Sequence, residues 1–288
     1  MAAIERYCAP VSLEEAAAIL RAGNVTILAG GTDVMPQTHA GRLRFQPVLM
    51  NIRRVPELRG IAEHDGVVRI GALTTITELL ESTLVQQRLG MLWQACDHFA
   101  SEQIRNAATI GGNLCNASPA GDTLVPLLAL EARAVLAAKP DGSLTMRRVP
   151  LQQFFLAPGR TCREPGEILA AVEVPLPPAG FAGEFYKHGT RPGLDIAAIA
   201  IAAGARRDRG VLRDVRIAFG AVAPTPIRAP RTELALEGRA PDEATLEAAA
   251  RTALEEVQPI SDVRASDWYR RELLHNMLKR VLGHVAQL

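Results

Sequence analysis

The chain has 288 residues, 48% of them apolar and 22% charged, with a formal net charge of +1 at pH 7. That balance is the one of a globular protein with one large or two ordinary domains, and it excludes a disordered chain. It also offers no electrostatic reason for nucleic acid or an anionic membrane as a partner.

The four cysteines, Cys8, Cys96, Cys115 and Cys162, form no C-x-x-C pair, which speaks against a zinc ribbon, a redox dithiol or a cysteine-held iron–sulfur cluster in this chain. No metal is expected here. The first fifteen residues carry charges where a signal peptide needs an apolar run, and the longest apolar stretch, "IAAIAIAAGA" from Ile196, is too short to span a bilayer. A cytoplasmic protein with reduced thiols is expected.

The first predicted element is a helix with Ser12 and Glu15 as a capping box, an apolar stripe of Leu13, Ala16, Ala17 and Leu20, and Gly23 as its end. "VTILAG" reads as a buried strand running into Gly30 and Gly31, a short helical turn follows near Pro36, and "PVLMNI" reads as a second, parallel strand. Residues 1–55 thus form a βαβ-like unit. From about residue 60 the strands shorten, "GVVRIGAL" being one, and a longer amphipathic helix is expected over 83–98. Asp122 can cap a helix through "TLVPLLALEA", with Pro126 in its first turn. "ARAVLAA", "KPDGS" and "LTMRRV" make a hairpin by the Asp-Gly rule, and "EILAAVEVP" is a further strand.

"PLPPAG", residues 175–180, is the best linker in the sequence. Beyond it come three antiparallel strands, "GEFYKHG", "DIAAIAIAAGARR" and "VLRDVRIAFGAV", then helices at about 242–256 and 267–282, the first with Pro241 just inside its start. Two domains follow, 1–177 and 178–288, the first in two subdomains of about 1–55 and 56–177.

Two segments share one layout. "TILAGGTD" (26–33) and "AATIGGNL" (107–114) each run an apolar strand into Gly-Gly and then a polar side chain. Glycine lets backbone N–H groups converge and a ligand approach the main chain, and such a concavity beside a helix start attracts anions. Thr32, Asp33, Thr109 and Asn113 can then bond phosphate, ribose or ribityl groups. Each pair by itself reads first as a tight turn, and neither G-x-G-x-x-G nor G-x-x-x-x-G-K-[ST] occurs to name a ligand.

"ILAGGTDVM", "QIRNAATIGGNLCNASPAGDTLVPLLALEA", "FYKHGTRPGLDIA", "AFGAVAPTPIRA" and "PISDVRASDWYRRELL" together resemble the FAD-binding medium subunit of molybdenum hydroxylases, the family of xanthine dehydrogenase and carbon monoxide dehydrogenase. The likeness runs through nearly the whole chain in order, and "AGGTD" and "NASPAGD" are nearer the xanthine dehydrogenase type.

The resemblance implies an α+β fold: a two-subdomain FAD-binding domain of the PCMH, vanillyl-alcohol-oxidase-like kind, then a smaller domain with a three-stranded antiparallel sheet and helices. It implies that the FAD diphosphate is held by Ile27, Leu28, Ala29, Gly30, Gly31, Thr32, Asp33 and Val34 and by Thr109, Ile110, Gly111, Gly112 and Asn113. Asp122 would accept from ribityl or ribose hydroxyls, Phe99 would pack on the cofactor, the Leu169 backbone would meet the isoalloxazine edge, and Lys187 would lie near the flavin.

By themselves Phe99 reads as a core aromatic and Lys187 as a solvated strand lysine. Arg191, Asp195 and His188 read as turn or surface residues, and Cys115 as a small buried packing residue. Relatives similar to hydroxybenzoyl-CoA reductases insert a cysteine-rich segment for an extra cluster, and that segment is missing here.

The same resemblance implies a small partner subunit with two [2Fe-2S] clusters and a large one with the molybdenum cofactor, as a dimer of heterotrimers, with electrons passing to FAD and on to NAD or another acceptor. No residue of this chain is then catalytic. The rival readings are a self-contained FAD oxidoreductase, similar to the cell-wall enolpyruvate reductase, and a structural or nucleotide-sensing module with empty glycine turns.

Overall fold

The protein was analysed as a computed structural model, which describes residues 4–191 and 193–288. The chain begins with β1 (Arg6–Cys8), α1 (Leu13–Arg21), β2 (Val25–Leu28), α2 (Val34–His39) and β3 (Val48–Asn51), and its strands form a parallel sheet in the order β1-β3-β2. The βαβ unit is as expected, but a strand precedes the first helix: three residues are too few to carry an alternation that a sequence can display. Ser12 Oγ accepts from the Glu15 amide at 3.1 Å, while the Glu15 carboxylate accepts from Val11 N at 2.8 Å rather than from Ser12 N, so the cap closes one residue early. Leu13, Ala16, Ala17 and Leu20 are buried as their spacing requires. β2 is half-buried along its whole length rather than buried, because it is the edge strand and borders a cleft.

Next come β4 (Ile61–His64), β5 (Val67–Gly71), α3 (Ile76–Glu81), α4 (Thr83–Arg88), α5 (Gly90–Asp97), α6 (Glu102–Arg105), α7 (Ile110–Asn116) and α8 (Leu124–Ala129). The hairpin β6 (Arg133–Ala138) and β7 (Thr145–Pro150), the turn α9 (Leu151–Phe154), the small ladder β8 (Phe155–Ala157) and β9 (Arg160–Thr161), and β10 (Ile168–Pro175) follow. They give a five-stranded antiparallel sheet in the order β4-β5-β10-β6-β7.

The single helix expected over 83–98 is two, broken at Leu89 (φ −131°, ψ 48°). Leu89 leaves helical geometry with its side chain fully buried, and the poor helix former Gly90 follows it. Asp122 caps nothing: Thr123 is the N-cap residue of α8, and the Asp122 carboxylate is engaged elsewhere.

The last part holds β11 (Phe181–His188), β12 (Ile199–Asp208), β13 (Val211–Gly220), β14 (Ile227–Arg228), α10 (Pro230–Leu236), α11 (Glu243–Glu256) and α12 (Asp267–Val285). Its antiparallel sheet, β11-β12-β13-β14, has the three expected strands and a fourth of two residues. Pro241 stands before the N-cap Asp242 of α11 rather than inside the helix, and Pro230 instead opens α10, a helix that the sequence did not announce. Among the described residues no helix is long and apolar enough to cross a membrane.

β12 is buried on both faces. Ile199, Ile201 and Ala203 belong to a core shared with α11 and α12, whereas Ala200 and Ala202 face the core of the preceding part together with Val125 of α8. The alternation of large and small residues, period two, is what sorts them. A Cβ on Gly220 of β13 would lie 2.6 Å from Val125 Cγ2, so the bare position sets how closely α8 docks on the sheet.

Arg270 of α12 is 3% exposed and belongs to this core: Nη1 donates to the carbonyls of Ala198 (2.7 Å) and Ala221 (2.6 Å), and Nη2 to Asp262 Oδ1 (2.8 Å). Arg270→Met leaves two buried carbonyls without a donor and takes the charged partner from the Asp262 carboxylate, which keeps backbone and Arg264 contacts. The change is expected to cost about 3 kcal/mol in denaturant unfolding. The surface variant Arg264→Met is expected to cost under ~0.5 kcal/mol. Equal costs would show that the Arg270 contacts are not what ties α12 to the sheet.

Candidate functional site

A cleft of about 400 Å³ separates the β2–α2 edge from α7 and β10, within the size range of small-molecule sites. Both glycine stretches line it, but they are built differently. After β2 the chain turns through Gly31 (φ +78°) into the N-cap Asp33 of α2. Among the described residues no acceptor meets the backbone amides of Gly30, Gly31, Thr32, Asp33 and Val34. Five successive free donors at a helix start form a concavity suited to an anion. A Cβ on Gly30 would lie 1.9 Å from the Ala107 carbonyl oxygen, so this glycine lets the two lining segments cross in contact.

The second stretch is not a strand running into a turn. Thr109 is the N-cap of α7, and Gly111 and Gly112 lie in the first helical turn. Its first amides are already used: Ile110 N donates to Thr74 O (3.0 Å), Gly111 N to Ala72 O (2.9 Å) and Gly112 N to Thr109 Oγ1 (3.0 Å). An N-cap threonine and a chain of acceptors at 72–74 outweigh the low helix propensity of two glycines. These glycines serve as bare surface instead. A Cβ on Gly111 would lie 2.6 Å from Ala72 O, so α7 seats directly on that backbone, whereas Gly112 is exposed and meets only Thr109 Oγ1 at 3.0 Å.

Of the other residues named from the sequence, Ile27, Ala29, Asn113, Phe99 and Leu169 line the cleft, Phe99 half-buried and Leu169 buried. Leu28 and Ile110 do not line it: Ile110 is fully buried beneath α7. Asn113 Oδ1 accepts from Thr123 Oγ1 at 2.7 Å. Gln37, Asn116 and Arg163, which no sequence pattern singled out, also line the cleft. Gln37 Nε2 donates to Asn116 Oδ1 at 3.1 Å and ties α2 to α7; a pair 79 residues apart in the chain has no local signature.

Asp122 and Lys187 also stand outside the lining, bound to each other. Lys187 Nζ donates to Asp122 Oδ2 at 2.8 Å and to the His98 carbonyl at 3.1 Å, with side chains only 7% and 11% exposed. Lys187 is therefore not a solvated strand lysine. Burial raises the Asp122 carboxyl to about 6 although Lys187 pulls it down, and Asp122 Oδ1 is buried without a donor. His188 is not bare surface either: its Nδ1 meets Tyr186 OH and its Nε2 meets Tyr269 OH, each at 3.3 Å. Asp195 accepts from the amide and hydroxyl of Thr190, which holds its carboxyl down at about 2 and closes a local turn. Burial pushes the Cys115 thiol up, as suits a packing residue on the cleft wall.

Free amides at Gly30–Val34 and a side-chain-free floor at Gly112 fit an extended ligand that carries a diphosphate.

Residues 2–177 match the family described as the FAD binding domain in molybdopterin dehydrogenase, and residues 184–285 match the CO dehydrogenase flavoprotein C-terminal domain. The chain is 38% identical over 262 residues to the xanthine dehydrogenase FAD-binding subunit of Escherichia coli O157:H7, covering 90% of this chain and 88% of that one. It is 35% identical over 281 residues to the carbon monoxide dehydrogenase medium chain of Hydrogenophaga pseudoflava, covering 96% and 95%. A solved carbon monoxide dehydrogenase from that organism, lacking the Mo-pyranopterin moiety of the molybdenum cofactor, superposes with a TM-score of 0.92 at 35% identity over 98% of this chain and 97% of that one.

The two helix glycines should respond differently to a methyl group. Gly111→Ala forces α7 off Ala72 and is expected to cost about 2 kcal/mol of apoprotein stability. Gly112→Ala is expected to change apoprotein stability by less than ~1 kcal/mol, since alanine favours helix, while FAD retention drops at least about tenfold because the methyl enters the floor. Thermal melts of the apoprotein and flavin content per chain read both, and full retention in Gly112→Ala would remove Gly112 from the site.

The Asp122 carboxyl, raised in the fold above its ordinary value, favours the folded apoprotein most below about pH 4 and loses that advantage as pH rises to about 6. Relative to Asp122→Asn, the wild-type apoprotein is expected to lose about 2 to 3 kcal/mol across that window. Denaturant unfolding of both at pH 4, 5, 6 and 7 measures it; a difference independent of pH would mean that the Lys187 pair fully compensates the burial.

Proposed function

Because this chain belongs to the family of FAD-binding medium subunits of molybdenum hydroxylases, the xanthine and carbon monoxide dehydrogenase family, we propose that it is the electron-transfer station of such a complex. It receives electrons from [2Fe-2S] clusters of a small partner subunit, which are fed by the molybdenum cofactor of a large one. It passes them to NAD or another acceptor. Kinship with a carbon monoxide dehydrogenase, an enzyme with a molybdenum cofactor, supports the large partner, and likeness to the xanthine dehydrogenase type favours NAD. A dimer of heterotrimers and a cytoplasmic location complete the reading.

The observation that carries the role of this chain is the run of free amides from Gly30 to Val34 opposite the bare Gly112 floor. In our reading the amides take the diphosphate, Thr32, Asp33 and Asn113 take neighbouring hydroxyls, and Phe99 and the Leu169 backbone border the ring system. Bound flavin supplies an acceptor of single electrons that can release two together. The task of the chain is to hold it and to exclude water.

We assign residues 1–177 to the FAD-binding domain, in subdomains of about 1–55 and 56–177 with the cleft between them, and 178–288 to the C-terminal domain. The separate parallel, five-stranded and four-stranded sheets support this division. The Lys187–Asp122 pair then bridges the two domains, with Asp122 Oδ1 left for a ribityl or ribose hydroxyl.

The native complex captured through this chain should show flavin bands on broad iron–sulfur absorption, release FAD in acid, and contain molybdenum by elemental analysis. Flavin with turnover but without iron or molybdenum would favour a self-contained oxidoreductase, and a colourless chain would leave the glycine stretches as structure only.

A further inference from the structure

The cleft is lined by two arginines that the family motifs do not point to, Arg44 and Arg163. Arg163 follows the β8–β9 ladder, where Gly159 N donates to the Ala117 carbonyl at 3.1 Å and docks the ladder on the C-terminal end of α7. The Arg163 guanidinium is anchored by one bond, Nη1 to the Glu167 carbonyl at 2.7 Å, while its Nε and Nη2 have no acceptor among the described residues. The nearby carboxylate does not neutralise it. Glu167 is committed to Arg147, with Oε2 accepting from Nη2 at 2.7 Å, and Oε2 also accepts from Glu164 N at 2.8 Å; no ion pair joins it to Arg163.

Arg163 thus enters the cleft half-buried, oriented by its own loop, with two donors and a charge unspent. It lines the same cleft as Cys115 and Asn116 of α7, Asn116 is bonded to Gln37 of α2, and α2 begins at the free amides. A guanidinium with a free fork is suited to phosphate oxygens.

We propose that Arg163 is an ionic anchor for the diphosphate of the cofactor, supplying from the β8–β9 side the charge that the amides of Gly30–Val34 supply only as dipoles. The inference rests on the reading of the cleft as the cofactor site, and its test separates the two.

Deflavinated full-length chain is titrated with FAD, ADP, adenosine and riboflavin in low salt, for the wild type, Arg163→Gln and Arg163→Lys. Arg163→Gln is expected to weaken FAD and ADP about 10- to 100-fold, as loss of a charge-assisted bond does, to leave adenosine and riboflavin within about threefold, and to flatten the salt dependence. Arg163→Lys is expected to recover part of the loss. An unchanged apoprotein melt shows that the effect is not unfolding. ADP affinity within about threefold of wild type, or adenosine falling as far as ADP, overturns the anchor. A wild-type chain that binds neither FAD nor ADP overturns instead the reading of the cleft.

Discussion

The contact of Gly30 with the Ala107 carbonyl sets the geometry on which the cleft depends. Any side chain at position 30 would need the space that the carbonyl occupies, 1.9 Å from an ideal Cβ, so the parallel β1–β3 unit can approach the helical layer this closely only with glycine there. β2 is an edge of the parallel sheet, with no further strand beside it among the described residues. Its half-buried face and the turn into α2 open on the gap instead, and the gap is the cleft. The Gln37–Asn116 bond, on the cleft wall, ties α2 to α7 across it.

Two glycine pairs of similar sequence therefore do different work. Amides near Gly30 are free because the chain there leaves a sheet edge and enters a short helix with no side-chain cap. Amides near Gly111 are spent, because α7 starts against the 72–74 backbone and under its own threonine cap. A polar ligand meets donors on one wall and bare Cα surface on the other, which allows close approach without competition from helix capping. Charge on the walls is sparse, one carboxylate at Asp33 and the arginines Arg44 and Arg163.

The junction between the cofactor-binding part and the C-terminal sheet joins an apolar seam to one buried ion pair. The seam is Ala200 and Ala202 of β12 against α8, with Gly220 allowing Val125 to enter. The pair is Lys187 with Asp122, and it leaves one carboxylate oxygen unpartnered inside the protein. Such an atom costs stability unless a donor meets it.

The sequence by itself determined the elements whose signals are local. The Ser12 cap and the Leu13–Leu20 stripe, the Asp-Gly hairpin, the alternating β12 and the helices near 243 and 267 all came from spacing of a few residues, and the motifs in order identified the family. Tertiary structure alone decided what rests on contacts between distant segments. It made Thr109–Asn113 a helix start, since the acceptors at 72–74 lie some 35 residues away. It broke the helix at the buried Leu89, paired Lys187 with Asp122 across 65 residues, and aimed Arg163 into the cleft from a ladder without a motif. Periodicity and caps report the free energy of a segment with itself and with a generic core; which donor finds which acceptor depends on where the fold brings the remaining chain.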